Sequence, residues 1–280
     1  MLLVTGATGT VGREVIKLLA AAGQKVTAVT RTPDAARLSE GVTVHEGDPS
    51  RPQTLAPVLA GADAILLSPR AVGTAVGDLL GLAVEHGVRR VVVLSAVTVE
   101  YGGGYRRFAE AFRAVEDTAR ASGLDWTFLR CADFAANSLA WAPQIRATGT
   151  VRGASAAATT SPIHQRDIGA VAVRALLEPG HAGQAYALTG PQALTQRDRA
   201  RIIGQAIGAT VTFEETPPEL VRQSMLAQGL PQEVADRMLG YNAACLEQPG
   251  PTTNTVARLL GRPALTFADW AAENAAAFRN

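Results

Sequence analysis

The sequence predicts an α/β fold, a doubly wound parallel sheet with a smaller, mainly helical C-terminal part. Three observations carry that expectation. An apolar run, Leu2-Leu3-Val4, passes at once into Thr5-Gly6-Ala7-Thr8-Gly9-Thr10-Val11-Gly12, after which Val11, Val15, Leu18, Leu19 and Ala22 recur at helical spacing. Short runs rich in β-branched residues then alternate with helical stretches of about a dozen residues, the pattern of parallel strands joined by crossover helices. The chain is 280 residues long, enough for one large domain or one domain with an appendage. The division is expected at residues 1–149 and 150–280.

The opening stretch reads as a phosphate cradle. Gly6 permits a tight turn, Gly9 lets backbone approach a pyrophosphate, and Gly12 lets the new helix lie against the strand; Thr8, Thr10 and Val11 stand between them. The first-turn N–H groups and the positive end of the helix dipole would face the phosphates. This is the fingerprint of a Rossmann dinucleotide site, because a strand precedes it and a helix follows.

Lys25 to Thr30 alternates and reads as the second strand, with Arg31 at its exit. An acid at this point suits the ribose hydroxyls of NAD, whereas an Arg suits a 2′-phosphate, so Arg31 points to NADP(H); the plain alternative is an exposed surface Arg. Val42 to Glu46 is a third strand ending at Gly47-Asp48-Pro49. Asp48 reads either as acceptor for the adenine amino group or as the cap of that turn. Residues 52–59 form a short helix, and 62–68 a strand apolar enough to be covered on both faces. Val72 to His86 reads as a helix stopped by Gly87, and Arg89 to Ser95 as the fifth strand.

Ligands of such sheets bind outside the carboxyl ends of the strands. Ser68, Ser95 and the loop from Ala96 to Gly104 are therefore placed near the site. That loop, with Tyr101 and Gly102-Gly103-Gly104, reads either as a flap over the cofactor or as an ordinary surface loop. A helix from Tyr105 to Ser122 and a strand from Asp125 to Arg130 follow. The exit, Cys131 to Asn137, is expected to reach the nicotinamide end of the crevice.

Beyond Arg146 the pattern loosens. Thr150 to Ser161 reads as a loop, Asp167 as the cap of a helix running to Leu177, and Gln184 to Leu188 as a strand added to the sheet edge. Thr195 with Asp198, and Thr266 with Asp269, have the spacing of capping boxes. Pro218 to Gln248 carries an apolar stripe that would pack on a neighbouring domain or, through its methionines, line a pocket. Phe134, Asn137, Trp141 and Met225 are the expected lining of a mostly apolar crevice for a flat, aromatic or quinonoid molecule.

Composition excludes several classes. Lys plus Arg number 26 against 25 Asp plus Glu, so no global field recruits nucleic acid. Cys131 and Cys245 are far apart, without metal spacing or a disulfide framework, and no histidines pair at ligand spacing. No nucleophile elbow suggests a hydrolase. With neither a signal-like start nor an apolar run of membrane length, a cytoplasmic protein acting on a small molecule is expected, as a monomer or homodimer.

The chain resembles the NmrA-like group of atypical short-chain dehydrogenase/reductases. The resemblance rests on Thr5 to Gly12, Gly47-Asp48, Ser122-Gly123-Leu124-Asp125-Trp126-Thr127-Phe128-Leu129-Arg130, Ile163 to Gly169, Tyr186 to Pro191, and Gly261 to Phe267. It implies an NADP-binding Rossmann domain in which Gly6 to Gly12 hold the pyrophosphate, Arg31 the 2′-phosphate and Asp48 the adenine. Ser68, Ser95, Cys131 and Phe134 would line the path to the nicotinamide. The family includes NADPH-dependent quinone reductases, reductases of phenolic substrates, and dinucleotide-binding redox sensors.

Short-chain dehydrogenases use a Tyr and a Lys four residues later, the Lys lowering the phenol's pKa. Here the fourth residue after Tyr101 is Tyr105, and no Lys follows Lys25. The Lys or His that reductase branches of the family place on the following helix is also missing, with Phe112 or a near neighbour in its place. Tyr101 is the phenol to examine first. The expectation is an NADPH-dependent reductase of a quinone or related conjugated molecule, the alternative a non-catalytic NADP-binding sensor.

Overall fold

The structure is a computed structural model describing residues 1–102 and 106–279. Along the chain come β1 (Leu2–Val4), α1 (Thr10–Ala21), β2 (Val26–Thr30), β3 (Thr43–Glu46), α2 (Ala56–Leu59), β4 (Ala64–Leu67), α3 (Pro69–Val72), α4 (Val76–Glu85) and β5 (Arg90–Ala96). Then follow α5 (Thr98–Tyr101), α6 (Arg106–Ala121), β6 (Asp125–Cys131), α7 (Ala142–Thr148), β7 (Thr150–Gly153), β8 (Thr159–Thr160), α8 (Gln165–Leu177) and β9 (Gln184–Leu188). The last elements are β10 (Leu194–Thr195), α9 (Gln196–Ile207), β11 (Thr212–Glu215), α10 (Pro218–Ala227), α11 (Gln232–Glu247), α12 (Thr255–Leu260) and α13 (Phe267–Glu273).

Rather than one cut near residue 149, the compact units interleave along the chain. The first takes Met1–Ala96, Ala111–Cys131 and Gln165–Ala187; the second takes Val97–Glu110, Ala132–His164 and Leu188–Asn280. The reason is that α8 and β9, far down the chain, complete the sheet layer that the N-terminal residues begin.

In the first unit a seven-stranded sheet runs β3-β2-β1-β4-β5-β6-β9. Leu3 of β1 pairs parallel with Thr27 on one side and Ile65 on the other, so the strand order reverses between β1 and β4. That reversal is where doubly wound sheets open a crevice for dinucleotides. Strands β1, β2 and β4 are buried throughout, as a parallel sheet covered on both faces requires. Leu3, Ile65, Val91 and Phe128 from the strands share one core with Leu79, Leu80 and Ala83 of α4. Helices α1 and α8 approach so closely that a Cβ on Gly169 would lie 2.8 Å from Glu14 Cβ.

The second unit has its own core, where Ile145, Val151, Ile203, Phe267, Trp270 and Phe278 come together. Strand β7 pairs parallel with β11, and β8 antiparallel with β10. Both expected capping boxes form: Thr195 accepts from the Asp198 N–H and Thr266 from the Asp269 N–H, with reciprocal carboxylate bonds.

Four expectations are corrected. The stretch 150–161 contains β7 and β8, short strands whose partners lie dozens of residues downstream. Asp167 is not the residue that precedes α8; the helix starts at Gln165, which puts Asp167, fully buried, in its first turn. The helix expected over 72–86 is broken at Gly73 (φ 64°), so α3 and α4 are separate. The stripe of 218–248 is cut by Gly229 (φ 82°) into α10 and α11, and α10 buries no residue, Leu220 being 54% exposed. Gly103, Gly104 and Tyr105, on which the flap reading largely rests, lie outside the described residues.

Candidate active site

The glycine turn of the first unit is a cradle whose floor is backbone. Gly6 has φ 63°, and the turn is closed by the Gly9 N–H donating to the Gly6 carbonyl at 2.9 Å. A Cβ at Gly12 would lie 2.2 Å from the same carbonyl and 2.9 Å from Ala7 Cα, and one at Gly6 would lie 2.8 Å from Ser68 Cβ. Side chains at these positions would push the turn, the start of α1 and the residue after β4 apart. Gly9 is also the N-cap of α1 and offers no side chain to the helix's first N–H groups. Those donors remain for an anion. Thr8, Gly9 and Thr10 are exposed around them, whereas Val11 turns into the core. Thr5, fully buried, fixes the floor by donating to the Leu66 carbonyl and accepting from the Ser68 N–H. The residues present therefore fit a dinucleotide.

At the carboxyl ends of β2 and β3, Arg31 is exposed and its charge reaches the half-buried Asp48. Asp48 Oδ1 accepts from the Ser50 N–H at 3.0 Å and the Ser50 hydroxyl at 2.8 Å. Those bonds first, then the Arg31 and Arg51 charges, hold the Asp48 carboxyl below the usual range. One carboxylate oxygen thus serves the turn. Arg13 of α1 donates to the carbonyls of Thr8, Ala36 and Arg37, tying the segment after Arg31 to the cradle.

Ser95 and Cys131, at the ends of β5 and β6, are both buried with their polar atoms committed. The Ser95 hydroxyl donates to Glu116 Oε1 at 2.7 Å, and the Cys131 thiol to the Leu129 carbonyl at 3.4 Å. Burial pushes the Cys131 thiol far up, so it stays protonated and unreactive. Glu116 itself is fully buried and receives Arg130 through Nε at 3.0 Å and Nη2 at 2.7 Å, and Arg120 at 2.9 Å. Burial alone would raise its carboxyl; the bonds from Arg130, Ser95 and Arg120 outweigh that and hold it below the usual range.

The second unit contains a cavity of about 250 Å³. Val97, Tyr101 and Gly102 form one wall, Tyr241 and Cys245 of α11 another, and the segment from Gln248 to Thr253 a third. Two hydroxyl bonds and one backbone bond staple that segment in place. Ser161 bonds Thr252 at 2.6 Å, the Thr253 N–H donates to Thr189 Oγ1 at 2.9 Å, and the Gly250 N–H donates to the Thr159 carbonyl at 2.9 Å. Beside Tyr241 and Cys245, whose ionisation their charges influence, lies the ion pair of Asp133 and Arg199 at 2.9 Å. Arg199 also donates to Thr160. Asp133 Oδ1, Arg199 Nε and the Tyr241 hydroxyl are shut off from solvent with no hydrogen-bond partner.

Of the residues expected at the active site, the structure gathers Gly6, Thr8, Gly9, Thr10, Gly12 and Ser68 around one turn, with Val11 behind them. Tyr101 is 40% exposed at the cavity wall. Phe134, Asn137, Trp141 and Met225 are not brought together at that cavity. Phe134 bridges to Ile163, Asn137 is exposed, Met225 is half-buried on α10, and Trp141 meets Phe213 edge-on at 5.9 Å. Sequence reasoning assigned Asp133 no role beyond the exit from Cys131 to Asn137, Tyr241 none beyond the apolar stripe of 218–248, and Arg199 and the Gln248–Thr253 segment none at all. A lone phenol in that stripe, and Pro249-Gly250-Pro251 after it, were the available signals.

Residues 6–179 match a protein family described as NAD(P)H-binding. The chain is 38% identical over 283 residues to a (4-alkanoyl-5-oxo-2,5-dihydrofuran-3-yl)methyl phosphate reductase of Streptomyces griseus, with 99% of each chain covered. It is 36% identical over 292 residues to an NAD(P)H azoreductase of Xenophilus azovorans, again over 99% of both. Among solved structures, a quinone oxidoreductase of Escherichia coli complexed with NADPH superposes with a TM-score of 0.83 at 25% identity, covering 98% of this chain and 99% of that one.

Proposed function

Because the chain belongs to the NAD(P)H-binding family, we propose that it reduces a quinone or a related conjugated small molecule with NADPH. It is an NAD(P)H-dependent oxidoreductase; the substrate class and the residues in contact are the proposal. What supports it above all is that similarity to reductases covers 99% of the chain, not the dinucleotide-binding part alone.

The cradle from Gly6 to Gly12 would hold the pyrophosphate on backbone N–H groups, and Arg31 would pair with the 2′-phosphate. Ser95 and Cys131 would contribute backbone and shape, since their polar atoms are engaged. When bound, NADPH supplies a hydride from nicotinamide C4, which with one proton from water turns a quinone into its hydroquinone and leaves NADP⁺. The protein's share is orientation and the exclusion of bulk water. The missing Tyr-Lys dyad fits such a substrate, because a quinone accepts hydride readily and its product is protonated without a strong acid.

The test is NADPH oxidation, followed at the nicotinamide absorbance band, across a panel of quinones, conjugated ketones and azo compounds, with calorimetric titration of NADPH alone. Turnover of at least one panel member is expected. Tight NADPH binding with no turnover of any would overturn the reductase reading and leave a dinucleotide sensor.

A further inference from the structure

Resting on that reading, we propose that the cavity walled by α5, α11 and the Gln248–Thr253 segment is the substrate subsite, and that Tyr241 is the hydrogen-bond donor that grips a carbonyl oxygen of a one- or two-ring quinone.

Four observations lead there. The cavity's volume, about 250 Å³, lies below the roughly 300–1,000 Å³ of pockets for drug-sized ligands, which sizes it for a small ring system. Its lining mixes apolar Val97, Tyr101, Pro249 and Pro251 with polar Gln248 and Thr252, a combination that suits a ring bearing carbonyl groups. On its wall Tyr241 carries a buried hydroxyl that lacks a hydrogen-bond partner, beside the Asp133–Arg199 pair and the Cys245 thiol, a weak hydrogen-bonding group. A buried donor left unsatisfied costs stability that a ligand's acceptor would recover.

The fourth observation concerns Gly250. A Cβ there would lie 3.4 Å from the Tyr241 oxygen. Gly250 therefore stands over the hydroxyl with no side chain of its own between them. Burial first, and then the Asp133 carboxylate, push the phenol well above its ordinary value of 10, so it is neutral around pH 7. Facing it are Asp133, Arg199 and Cys245, the thiol itself pushed up to about 11 by burial and Asp133. The thiol stays protonated near neutrality. Tyr241 is thus a fixed donor rather than a proton source, and the proton for the product comes from water.

The deciding experiment titrates 1,4-naphthoquinone into the protein without NADPH, so that no reduction occurs, and compares wild type with Tyr241→Phe and Gly250→Ala. Tyr241→Phe is expected to raise the Kd about tenfold, the loss of one buried hydrogen bond. Its melting temperature and NADPH affinity should stay within error of wild type, because the hydroxyl removed gives up no more than a weak contact with the Cys245 thiol. A hydroxyl with a purely structural role would instead lower the melting temperature and leave the Kd alone. Gly250→Ala, with its methyl beside the hydroxyl, should weaken the quinone in the same direction and serves if the first variant misfolds. A Kd within twofold of wild type for both variants overturns the Tyr241 assignment while wild-type turnover keeps the reductase reading. A wild type that neither binds nor reduces any quinone overturns both.

Discussion

Two buried arginine–carboxylate clusters, one in each unit, differ in a way that separates structure from site. In the first unit Glu116 is fully buried and every contact it has closes: Arg130 grips it with two nitrogens, Arg120 with one, and Ser95 donates from the strand below. In the second unit Asp133 and Arg199 pair at 2.9 Å with side chains 15% and 7% exposed, yet Asp133 Oδ1 and Arg199 Nε find no partner. A saturated cluster has nothing left to offer a ligand. An open one beside a cavity does.

The widest gap between the two should show at Glu116. Glu116→Gln leaves Arg130 buried without its counter-charge and is expected to cost about 3–5 kcal/mol, read from the urea midpoint. A loss under about 1 kcal/mol would erase the contrast. Because the folded carboxyl titrates below its ordinary value of 4.5, the stability it contributes is complete above that pH and disappears as pH falls through the lower folded value. Wild type should therefore show a steep acid limb of stability that the Gln variant lacks.

Next in size is a matched pair of glycines. Gly12→Ala forces a Cβ to within 2.2 Å of a carbonyl oxygen, whereas Gly250→Ala meets its first atoms at 3.4 Å. The former should cost about 1–3 kcal/mol and abolish measurable NADPH binding by calorimetry. The latter should change stability by less than about 1 kcal/mol and leave NADPH binding intact. Equal effects on NADPH would mean the two sites are not separately built. A third comparison asks whether one side chain sets cofactor choice: Arg31→Glu should weaken NADPH at least about tenfold more than NADH. Equal weakening would remove Arg31 from the 2′-phosphate. Smallest are the caps of the second unit, where Thr195→Ala and Thr266→Ala should each cost about 1 kcal/mol in thermal unfolding and leave both ligands' affinities unchanged.

The same contrast accounts for what could be read from the sequence. The cradle was legible because backbone builds it, and glycine spacing records where backbone must come close. The capping boxes were legible for a similar reason, four consecutive residues containing the whole device. Strands β7 and β8 were not, since each has at most four residues and takes its identity from distant β11 and β10. Nor was the cavity, because Val97, Tyr241 and Thr252 converge from segments with no common period. Asp133 was legible only as part of the exit from Cys131 to Asn137, because its partner Arg199 stands far along the chain.

The interleaving of the two units bears on how the molecule is made. Helix α8, whose Gly169 lies against Glu14, leaves the ribosome some hundred and fifty residues after the helix it packs on. At roughly 5–20 residues per second, the N-terminal strands and the glycine turn wait for seconds with that face of α1 uncovered. A nascent chain halted near residue 149 would carry the fingerprint of the dinucleotide site without the layer that backs it. Completion of the first unit is thereby timed to the emergence of residues 165–187, when much of the second is still unmade.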